Sequence, residues 1–372
     1  MTQISKQYLH DSLEVRHLVD DQNDGLRLDQ FLKLYLESFS REMIKKKIAD
    51  KEVLIYGTNG KQREGVHKPS SLIHAKEEIL IIFKKSKYED EYWKNQKLNL
   101  PQEIETIFED ESLLVISKPA FMSTHPAGRH IFYCATVYFE TKYGHTIHSL
   151  HRLDRETSGI LMLGKNPEMA QSMMKNFDDE HVKKCYFFIA KNTEAYLGPK
   201  EFWAKERLAS PDQDLKRILV EAYPEHATEG KAAQTFFKVL TSIDQYTFGL
   251  AFPQTGRQHQ IRVHAKVHGL PLLGDKLYLG NYEMFQHFKD QIASEEEYEL
   301  MEIPRHALHA IALRIPYKGK DQFFKTPIPQ DLKSWIMEKF FSGSEAQKND
   351  GKLFLENLEN QIKECAYSEL FK

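Results

Sequence analysis

Cysteine is scarce in this sequence of 372 residues, which has only three. Cys134, Cys185 and Cys365 form neither a C-x-x-C pair nor an even-numbered disulfide framework, so we expect a reducing, cytoplasmic setting. Long apolar runs are also missing, since no stretch approaches the roughly 18 residues that a membrane span requires. The N-terminal residues lack the apolar core of a signal peptide. The sequence therefore predicts a protein that contacts no membrane, and we expect a monomer.

A surplus of positive charge is absent too. The chain has 51 Lys and Arg against 54 Asp and Glu, a formal net charge of -3 at pH 7. A protein that neutralises several phosphates usually carries a basic surplus, so this balance argues mildly against nucleic acid unless basic residues are concentrated locally. The 41% of hydrophobic and 28% of charged residues are typical of an ordinary folded protein.

The first organised segment follows an N-terminal extension that we expect to be loosely held. From Leu26 to Ala49 apolar residues recur at spacings of three and four, which predicts two short helices broken near Ser38 to Ser40. Strands are predicted at Glu52–Tyr56 and Glu78–Phe83. Residues 85–100 are polar and without sustained periodicity. The predicted organisation is an extension at 1–23, a small α+β module at 24–86 and a linker at 87–100.

After Pro101, short apolar runs alternate with turns and with two candidate helices, at Thr136–Tyr143 and Pro167–Phe177. This mixed order predicts an α+β domain at 101–330. The tail, 331–372, has the apolar spacing of two amphipathic helices split near Ser342 to Gly351. The predicted strands are Ser112–Ser117, Ile160–Leu163, Tyr186–Ala190, Thr235–Leu240, Thr247–Phe252 and Ala307–Ile315.

The segment HRLDRETSG, residues 151–159, carries the most chemical information because it leads a carboxylate into an apolar strand. Arg152 and Arg155 would hold Asp154 ionised near neutral pH, since a neighbouring cation stabilises the charged form. An ionised carboxylate suits a nucleophile. The alternative from these residues alone is an ordinary Asp–Arg ion pair in a loop.

HRLDRETSG resembles the catalytic motif of the RluA-type pseudouridine synthases. Other segments resemble that family's pattern in the same order, over roughly residues 101–330. They are FEDESLLVISKPAFMSTHP (108–126), KKCYFFIA (183–190), KAAQTFFKVL (231–240), PQTGRQHQIRVHAKVHGLPLLGDKLYL (253–279) and RHALHAIAL (305–313). The resemblance implies a catalytic domain with a mixed, mainly antiparallel sheet flanked by helices and loops. It also implies isomerisation of uridine to pseudouridine in structured ribosomal or transfer RNA, with no cofactor and no metal.

The resemblance also implies the site residues. Asp154 is the catalytic aspartate, Tyr186 the active-site tyrosine and Arg262 the basic partner of the aspartate. Asp154 could serve as nucleophile at the anomeric or a ring carbon, or as base at the sugar, and these alternatives stay open. Tyr186 could stack on the displaced base or simply pack in the core. The sequence around Arg262 is ambiguous between strand and helix, and the resemblance favours helix.

The first module, LRLDQFLKLYLESFSREMIKKKIADKEVLIYG with HKPSSLIHAKEEILIIF after it, is similar to the RNA-binding domain of ribosomal-protein-S-four type. Its basic residues would supply the missing local patch. The alternative is a solvated helix face, because acidic residues interleave with the basic ones. The predicted RNA-binding residues are Arg27, Arg41, Lys45, Lys46 and Lys47 in this module, and His151, Arg152, Arg155 and Arg257 in the catalytic domain.

Two other functions compete with this interpretation. Seventeen histidines suggest a zinc hydrolase, although no H-E-x-x-H or C-x-x-C string is present. The second alternative is an RNA-binding protein that keeps the fold without the reaction. The histidines with spacings that prompt the zinc alternative are His145, His148 and His151, then His259, His264 and His268, and finally His306 and His309.

Overall fold

The computed structural model describes residues 3–8, 12–36, 39–84, 89–126, 130–178, 181–211 and 218–370. The chain divides into two units by its internal contacts. The first unit comprises residues 1–90 and 125–144, and the second comprises residues 91–124 and 145–372. Residues 125–144, which the sequence assigns to the catalytic domain, therefore group with the first unit. Residues 1, 2, 9–11, 37, 38, 85–88, 127–129, 179, 180, 212–217, 371 and 372, some of which fall within the predicted extension, interhelical break, linker and tail, lie outside the described residues.

The first unit packs helices on an antiparallel sheet of four strands in the order β1-β2-β4-β3. The two predicted helices and two predicted strands are found close to the expected positions. Helix α2 begins after Ser40, whose hydroxyl accepts a hydrogen bond from the Met43 amide at 3.2 Å and so caps the helix. The elements are β1 (Gln3–Tyr8), β2 (Ser12–Leu18), a 3-10 turn (Asp21–Asn23), α1 (Leu28–Tyr35), α2 (Arg41–Ala49), β3 (Val53–Tyr56), β4 (Glu78–Lys84) and α3 (Ala135–Tyr143).

Strand β2 contradicts the prediction of a loosely held N-terminal extension. It pairs with β4 along its whole length, from Ser12 opposite Lys84 to Leu18 opposite Glu78. Leu13 and Val15 are buried, and His17 occupies the next inward position with only 4% of its surface exposed. The alternation of a strand is therefore present, but a polar histidine at a buried position hides it in the sequence.

The second unit is built on a mixed sheet of ten strands, as the fold prediction requires. Its main path runs β12-β15-β16-β11-β17-β10-β8-β7, with β18 beside β17 and β9 beside β10. Strand β10 runs parallel to β17, and the other pairs of described strands in this sheet are antiparallel. The elements of the sheet are β7 (Glu105–Glu109), β8 (Leu113–Lys118), β9 (His148–Ser149), β10 (Ser158–Gly164), β11 (Lys183–Lys191), β12 (Glu201–Ala204), β15 (Thr235–Ile243), β16 (Tyr246–Pro253), β17 (Leu308–Tyr317) and β18 (Lys320–Lys325).

Helices and two small hairpins complete the second unit. Helix α5 settles the ambiguity around Arg262 in favour of helix. The elements outside the large sheet are β5 (Tyr92–Trp93), β6 (Gln96–Lys97), α4 (Pro167–Asp178), β13 (Arg207–Ala209), β14 (Glu221–Tyr223), α5 (Gln260–Val267), a π-helical turn (Lys276–Gly280), α6 (Tyr282–Asp290), α7 (Glu295–Met301), α8 (Gln330–Phe340) and α9 (Glu345–Leu370). No described helix has the length and apolar character needed to cross a membrane.

The hairpin of β5 and β6 lies within the predicted linker and contradicts it. Trp93 stacks on Phe288 of α6 with ring centroids 5.8 Å apart, and it meets Tyr298 of α7 edge-on at 4.8 Å. The Leu98 amide also donates a hydrogen bond to the Glu91 carbonyl at 2.8 Å. One aromatic residue in a polar segment is enough to hold it against two helices.

Two helices form the tail, as the sequence predicts, and they cover one face of the large sheet. Trp335 and Ile336 of α8 pack with Leu358 and Ile362 of α9 in the cluster that holds the inward residues of β11 and β16. The break between the helices is shorter than expected because Gly351 lies inside α9. A β-carbon there would approach the Met337 sulfur to 2.7 Å, so this glycine permits close helix contact and does not end the helix.

Candidate active site

A carboxylate and a guanidinium from distant parts of the second unit meet at the centre of the site. Asp154 lies in the turn before β10, in which the Thr157 amide donates to the Asp154 carbonyl at 3.0 Å. Arg262 lies in the first turns of α5. Its Nη1 donates to Asp154 Oδ2 at 3.0 Å, although 108 residues separate the two positions. The structure thus brings together two of the three predicted catalytic residues.

A second carboxylate, Asp275, holds Arg262 from the other side. Arg262 Nε and Nη2 donate to the two oxygens of Asp275 at 2.7 and 2.9 Å. Asp275 is fully buried and also accepts from the amides of Leu277 and Tyr278, both at 3.1 Å. The planar fork of an arginine suits such bidentate binding, which fixes the orientation of the third donor. Sequence reasoning missed Asp275, and the only local signal is its place before a helical turn.

Arg262 keeps Asp154 ionised. Burial by itself raises the pKa of Asp154, but nearby positive charge outweighs it and the pKa lies well below its usual range. His259 and His306 face the carboxylate as well, yet burial lowers the pKa of both histidines, so they are neutral near pH 7. The charges of His259 and Arg262 both lower the pKa of Asp154, but only the guanidinium is still charged at pH 7, so it is the cation that favours the ionised carboxylate there. Asp154 Oδ1 accepts no hydrogen bond from the described residues and is free to react.

The predicted neighbours do not perform this task. Arg155 forms an ion pair with Glu91 and lies 5.8 Å from the centroid of the Phe121 ring. Arg152 is exposed, and its side chain makes no hydrogen bond or ion pair with the described residues. The expectation that these two arginines hold Asp154 ionised is therefore wrong. Neighbours in sequence at a turn point in different directions, whereas a residue of a distant helix can face the carboxylate directly.

Tyr186 lines the same cavity as Asp154 and Arg262. The cavity has a volume of about 620 Å³. Side chains alternate along β11, so Cys185 and Phe187 face the core under α8 and α9 while Tyr186 faces the cavity. Burial, followed by the charge of Asp154, raises the pKa of the Tyr186 phenol well above its usual range. The phenol is therefore protonated at neutral pH.

His259 also lines the cavity and Tyr278 contacts its ring, and sequence reasoning did not assign either residue to the site. His259 Nδ1 lies 2.9 Å from the Tyr278 hydroxyl, and His259 Nε2 lies 3.9 Å from Asp154 Oδ2. The guanidinium carbon of Arg262 lies 5.0 Å from the centroid of the Tyr278 ring. The sequence signal for His259 was its spacing to His264 and His268, and that spacing suggested a metal.

Buried polar groups fix the turn that carries Asp154. Lys118 is fully buried, and its ammonium donates to the carbonyls of Pro119, Met122 and Arg155 at 3.0, 2.7 and 3.2 Å. At the start of β10, Gly159 has a φ of 108°, and a β-carbon there would lie 2.2 Å from the carbonyl oxygen of Ala310. Only glycine fits this close parallel pairing with β17. The turn is therefore held from both ends.

Three further residues predicted to bind RNA lie at the cavity, and they differ in availability. Arg152 and Arg257 are exposed, and Arg257 Nε donates to the Ala232 carbonyl at 3.0 Å. His151 instead accepts a hydrogen bond from the Met162 amide through Nε2 at 3.1 Å. Burial, and then the charge of Lys184, lowers the pKa of His151 to about 3. His151 is therefore a neutral wall residue that offers no charge to phosphate.

The basic residues of the first unit lie mostly on its surface. Arg41, Lys45 and Lys46 are exposed on α2, and Arg27 pairs with Asp29 at 2.7 Å before α1. Lys47 contradicts the prediction. It is 7% exposed, and its ammonium donates to Glu52 at 2.7 Å and to the Ile82 carbonyl at 2.6 Å. The helical repeat places position 47 on the face of Ile44 and Ile48, which points inward.

The histidines that prompt the zinc alternative have other partners. His264 lies between the Thr235 hydroxyl and the Glu206 carbonyl, both at 3.0 Å. His306 Nε2 meets Thr157 at 2.7 Å, and His309 lies between Ser158 and Thr326 at 2.8 and 2.6 Å. Within the described part of the chain, no three His, Cys, Asp or Glu side chains group as metal ligands would. These rings hold strands and turns together.

Comparisons with known proteins identify the family. Residues 112–266 match the family model described as RNA pseudouridylate synthase. The "Ribosomal large subunit pseudouridine synthase D" of Vibrio vulnificus (strain CMCP6) is 28% identical over 332 residues, which cover 86% of this chain and 93% of that protein. The solved structure of human RNA Pseudouridylate Synthase Domain Containing 1 aligns with a TM-score of 0.48 and 21% identity, over 61% of this chain and 84% of that one.

An "Uncharacterized RNA pseudouridine synthase" of Aquifex aeolicus (strain VF5) is 30% identical over 331 residues, 84% of this chain and 94% of that protein. With this last similarity extending over most of both chains, the protein belongs to the RluA-type family of RNA pseudouridine synthases, which are isomerases.

Proposed function

We propose that this enzyme isomerises uridine in ribosomal RNA with Asp154 as its catalytic carboxylate. The observation that carries the proposal is the pair of carboxylates, Asp154 and Asp275, on one buried guanidinium, that of Arg262, at distances of 2.7 to 3.0 Å. Asp275 occupies two of the arginine's nitrogens and Asp154 the third. One carboxylate therefore fixes the arginine, and the arginine fixes the other carboxylate at the cavity.

The reaction requires a carboxylate that stays ionised in a site that excludes water. The bond between ribose C1′ and uracil N1 breaks, and a new bond forms between C1′ and C5. The proton on C5 is lost and N1 gains one, so atoms and electrons balance without a redox step. Asp154 has an oxygen that accepts no hydrogen bond from the described residues, in a side chain that is 26% exposed. That oxygen is available to the ribose or to the ring, as nucleophile or as base.

Tyr186 completes the proposed catalytic set as a contact for the uracil ring. Its ring is almost buried, with 8% of its surface exposed, and it lines the cavity opposite α5. Because the raised pKa keeps the phenol protonated, stacking and hydrogen-bond donation suit it better than proton abstraction as a phenolate. The uridine must leave the RNA stack to reach the cavity, which costs a few kcal/mol and favours loops and irregular RNA. Exposed Arg152 and Arg257 at the cavity are suited to the flanking phosphates.

The names of the relatives support ribosomal RNA as the proposed substrate. The Vibrio vulnificus relative is named a ribosomal large subunit enzyme, and it aligns over 93% of its own length. We propose that residues 24–86 form an RNA-binding domain of ribosomal-protein-S-four type, that residues 101–330 carry catalysis and that the enzyme works as a monomer. The exposed Arg41, Lys45 and Lys46 on one helix support RNA binding by that domain through counterion release.

Replacement of Asp154 by Asn tests the proposed chemistry. The amide keeps the shape of the side chain but can act neither as nucleophile nor as base. We expect pseudouridine formation on an unmodified transcript of large-subunit ribosomal RNA to fall by about 10⁴-fold or more, while the Kd for that RNA stays near the wild-type value. The measurement is pseudouridine content after incubation, together with RNA binding by filter retention.

Asp290→Asn is the matched control, since it makes the same change at an exposed position at the end of α6. It should retain wild-type turnover. Unmodified transfer RNA transcripts are assayed in parallel. Persistent modification by Asp154→Asn would refute the catalytic role, and wild-type activity on transfer RNA alone would refute the ribosomal substrate.

A further inference from the structure

His259 has an unusual backbone position next to the reactive carboxylate. It precedes α5 with φ 53° and ψ 16°, the left-handed region that residues with a β-carbon rarely occupy. From this position His259 lines the cavity, and its side chain is 9% exposed. A left-handed residue held by its surroundings at an active site is often placed there for its side chain.

Neighbouring hydrogen bonds determine which ring nitrogen carries the proton. The Val220 amide donates to the Tyr278 hydroxyl oxygen at 3.1 Å. The Tyr278 hydroxyl has no other acceptor among the described residues, so its proton is assigned to the contact with His259 Nδ1, 2.9 Å away, and Nδ1 accepts. The ring proton lies on Nε2, the nitrogen that faces Asp154 Oδ2 at 3.9 Å. That distance is too long for a hydrogen bond, and no other described acceptor is within reach of Nε2.

The ring is neutral, which matters for its effect on Asp154. Burial, followed by the charge of Arg262, lowers the pKa of His259 to about 4, even though Asp154 and Asp275 favour the cation. A protonated ring would pair with Asp154 and restrain it. A neutral N–H leaves the carboxylate to its single bond from Arg262 and keeps a donor available for something else in the cavity.

We propose that His259 is a further catalytic residue, whose Nε2–H donates a hydrogen bond to a carbonyl oxygen of the uracil ring while the ring is detached from ribose. The inference rests on the proposed function. Once the C1′–N1 bond breaks with its electron pair on the ring, negative charge spreads onto the carbonyl oxygens. A fixed donor aimed at that charge stabilises the detached state more than the bound uridine, which raises kcat. Because the donor is neutral, it holds the ring without protonating it before C5 turns toward C1′.

Replacing His259 by Gln or by Asn tests whether the reaction depends on the hydrogen-bond donor at Nε2 or only on the volume of the side chain. His259→Gln places an amide nitrogen near the position of Nε2, whereas the shorter side chain of His259→Asn tolerates the left-handed backbone but does not reach the cavity. On the ribosomal RNA transcript we expect His259→Asn to lower kcat roughly 100-fold with KM little changed, and His259→Gln to lose no more than about tenfold. Equal losses in both variants, or a loss in KM alone, would overturn the proposal.

His268→Gln is the control, because it changes a histidine of the same segment that pairs with Glu206 at 3.0 Å and does not line the cavity. It should retain full turnover.

In ¹⁵N spectra of the full-length protein, the signals lost in His259→Gln should show Nε2 protonated and remain unchanged from pH 8 to pH 5.5. A proton on Nδ1, or titration in that range, would contradict the inference. If Asp154→Asn stays active the proposed function fails, whereas loss in Asp154→Asn with normal turnover in His259→Asn rejects only the role of His259.

Discussion

Basic residues of the two units form ion pairs with carboxylates in opposite environments, one buried and one exposed to solvent. In the second unit, Arg262 is 8% exposed and holds two carboxylates with three of its donors. In the first unit, Lys45 is more than half exposed and meets Glu42 one helical turn away. The buried charge has a fixed geometry, whereas the exposed one is screened by water and salt. Fixed geometry suits a reaction, and a screened, movable charge suits contact with an RNA backbone.

Lys47 shows that the distinction does not follow the residue type. It follows Lys45 and Lys46 in the same helix, yet it faces inward and binds Glu52 and a carbonyl of β4. Its ammonium also lies 4.6 Å from the centroid of the Phe83 ring. The position on the helix decides whether a lysine is structural or available to RNA.

Among tests of this comparison, the largest effect is expected where the buried geometry around Arg262 is broken. Asp275→Asn removes the charge that fixes two nitrogens of Arg262, so the guanidinium can turn away from the orientation that serves Asp154. We expect kcat to fall about 100-fold, the loss that a small misplacement of a catalytic group produces. The Kd for RNA should change little, since Asp275 is fully buried. Kinetics and filter binding measure the two effects separately.

Asp331→Asn provides a matched control. It removes the bidentate partner of another buried arginine, Arg305, at 2.6 and 3.1 Å. This change should lower thermal stability while turnover persists in the folded fraction. If Asp275→Asn loses activity only in proportion to its unfolded fraction, as the control does, Asp275 has a general structural role and does not position Arg262.

Acid should destabilise the second unit before its carboxylates titrate. His151 and His309 have pKa values lowered to about 3 and His259 to about 4, chiefly by burial, so they stay neutral in the folded state. The unfolded chain protonates them below about pH 6.5, so it binds more protons and stability falls as the pH drops from 6.5 toward 4. Each histidine contributes up to about 1.4 kcal/mol per pH unit. Asp154 and Asp275 have lowered pKa values. The stability that they contribute to the folded state is therefore lost only below about pH 4.

Urea unfolding between pH 7 and pH 5, followed by tryptophan fluorescence, measures this slope. All three tryptophans, Trp93, Trp203 and Trp335, belong to the second unit, so the signal reports on it specifically. His309→Gln should reduce the slope by about 1.4 kcal/mol per pH unit, and His226→Gln, the same change at an exposed histidine, is measured beside it. A slope that is the same in both variants would contradict the neutral state of His309.

The smallest effect is expected at the exposed helix face. Replacing Arg41, Lys45 and Lys46 together by Gln should weaken RNA binding by about tenfold at moderate salt and reduce the slope of log K against log salt by on the order of 2. The kcat at saturating RNA should be unchanged, since no bond of the catalytic cavity is altered. The control is the double variant Lys47→Met with Glu52→Leu, because the inward side chain of Lys47 should contribute nothing to the salt slope and apolar replacement of both partners of a buried ion pair is often tolerated. A wild-type slope in the triple variant would exclude this face from RNA contact.

Local pattern predicted most elements of the fold and part of the site. The six predicted strands of the second unit, the two predicted helices α3 and α4, and both tail helices are found, because each has the apolar pattern of its own type. The family and its fold are confirmed. The prediction failed where one residue departs from its segment's character, as His17 does in a buried strand, Trp93 in a polar stretch and Gly351 inside a helix. Periodicity describes an element's own faces and carries no information about what packs against them.

The sequence by itself determined that a carboxylate stands in a tight turn before an apolar strand, within a series of segments that identifies the family. Only the tertiary structure decided which cation faces that carboxylate. Arg152 and Arg155 are its neighbours along the chain, yet the pairing goes to Arg262, which is 108 positions away and fixed by Asp275. The reason is geometric: side chains on either side of a turn residue diverge, and direct contact depends on how the sheet brings the turn and α5 together. The tautomer of His259 depends on the same tertiary contacts, since Tyr278 meets its ring, and the Val220 amide meets the Tyr278 hydroxyl, only in the folded chain.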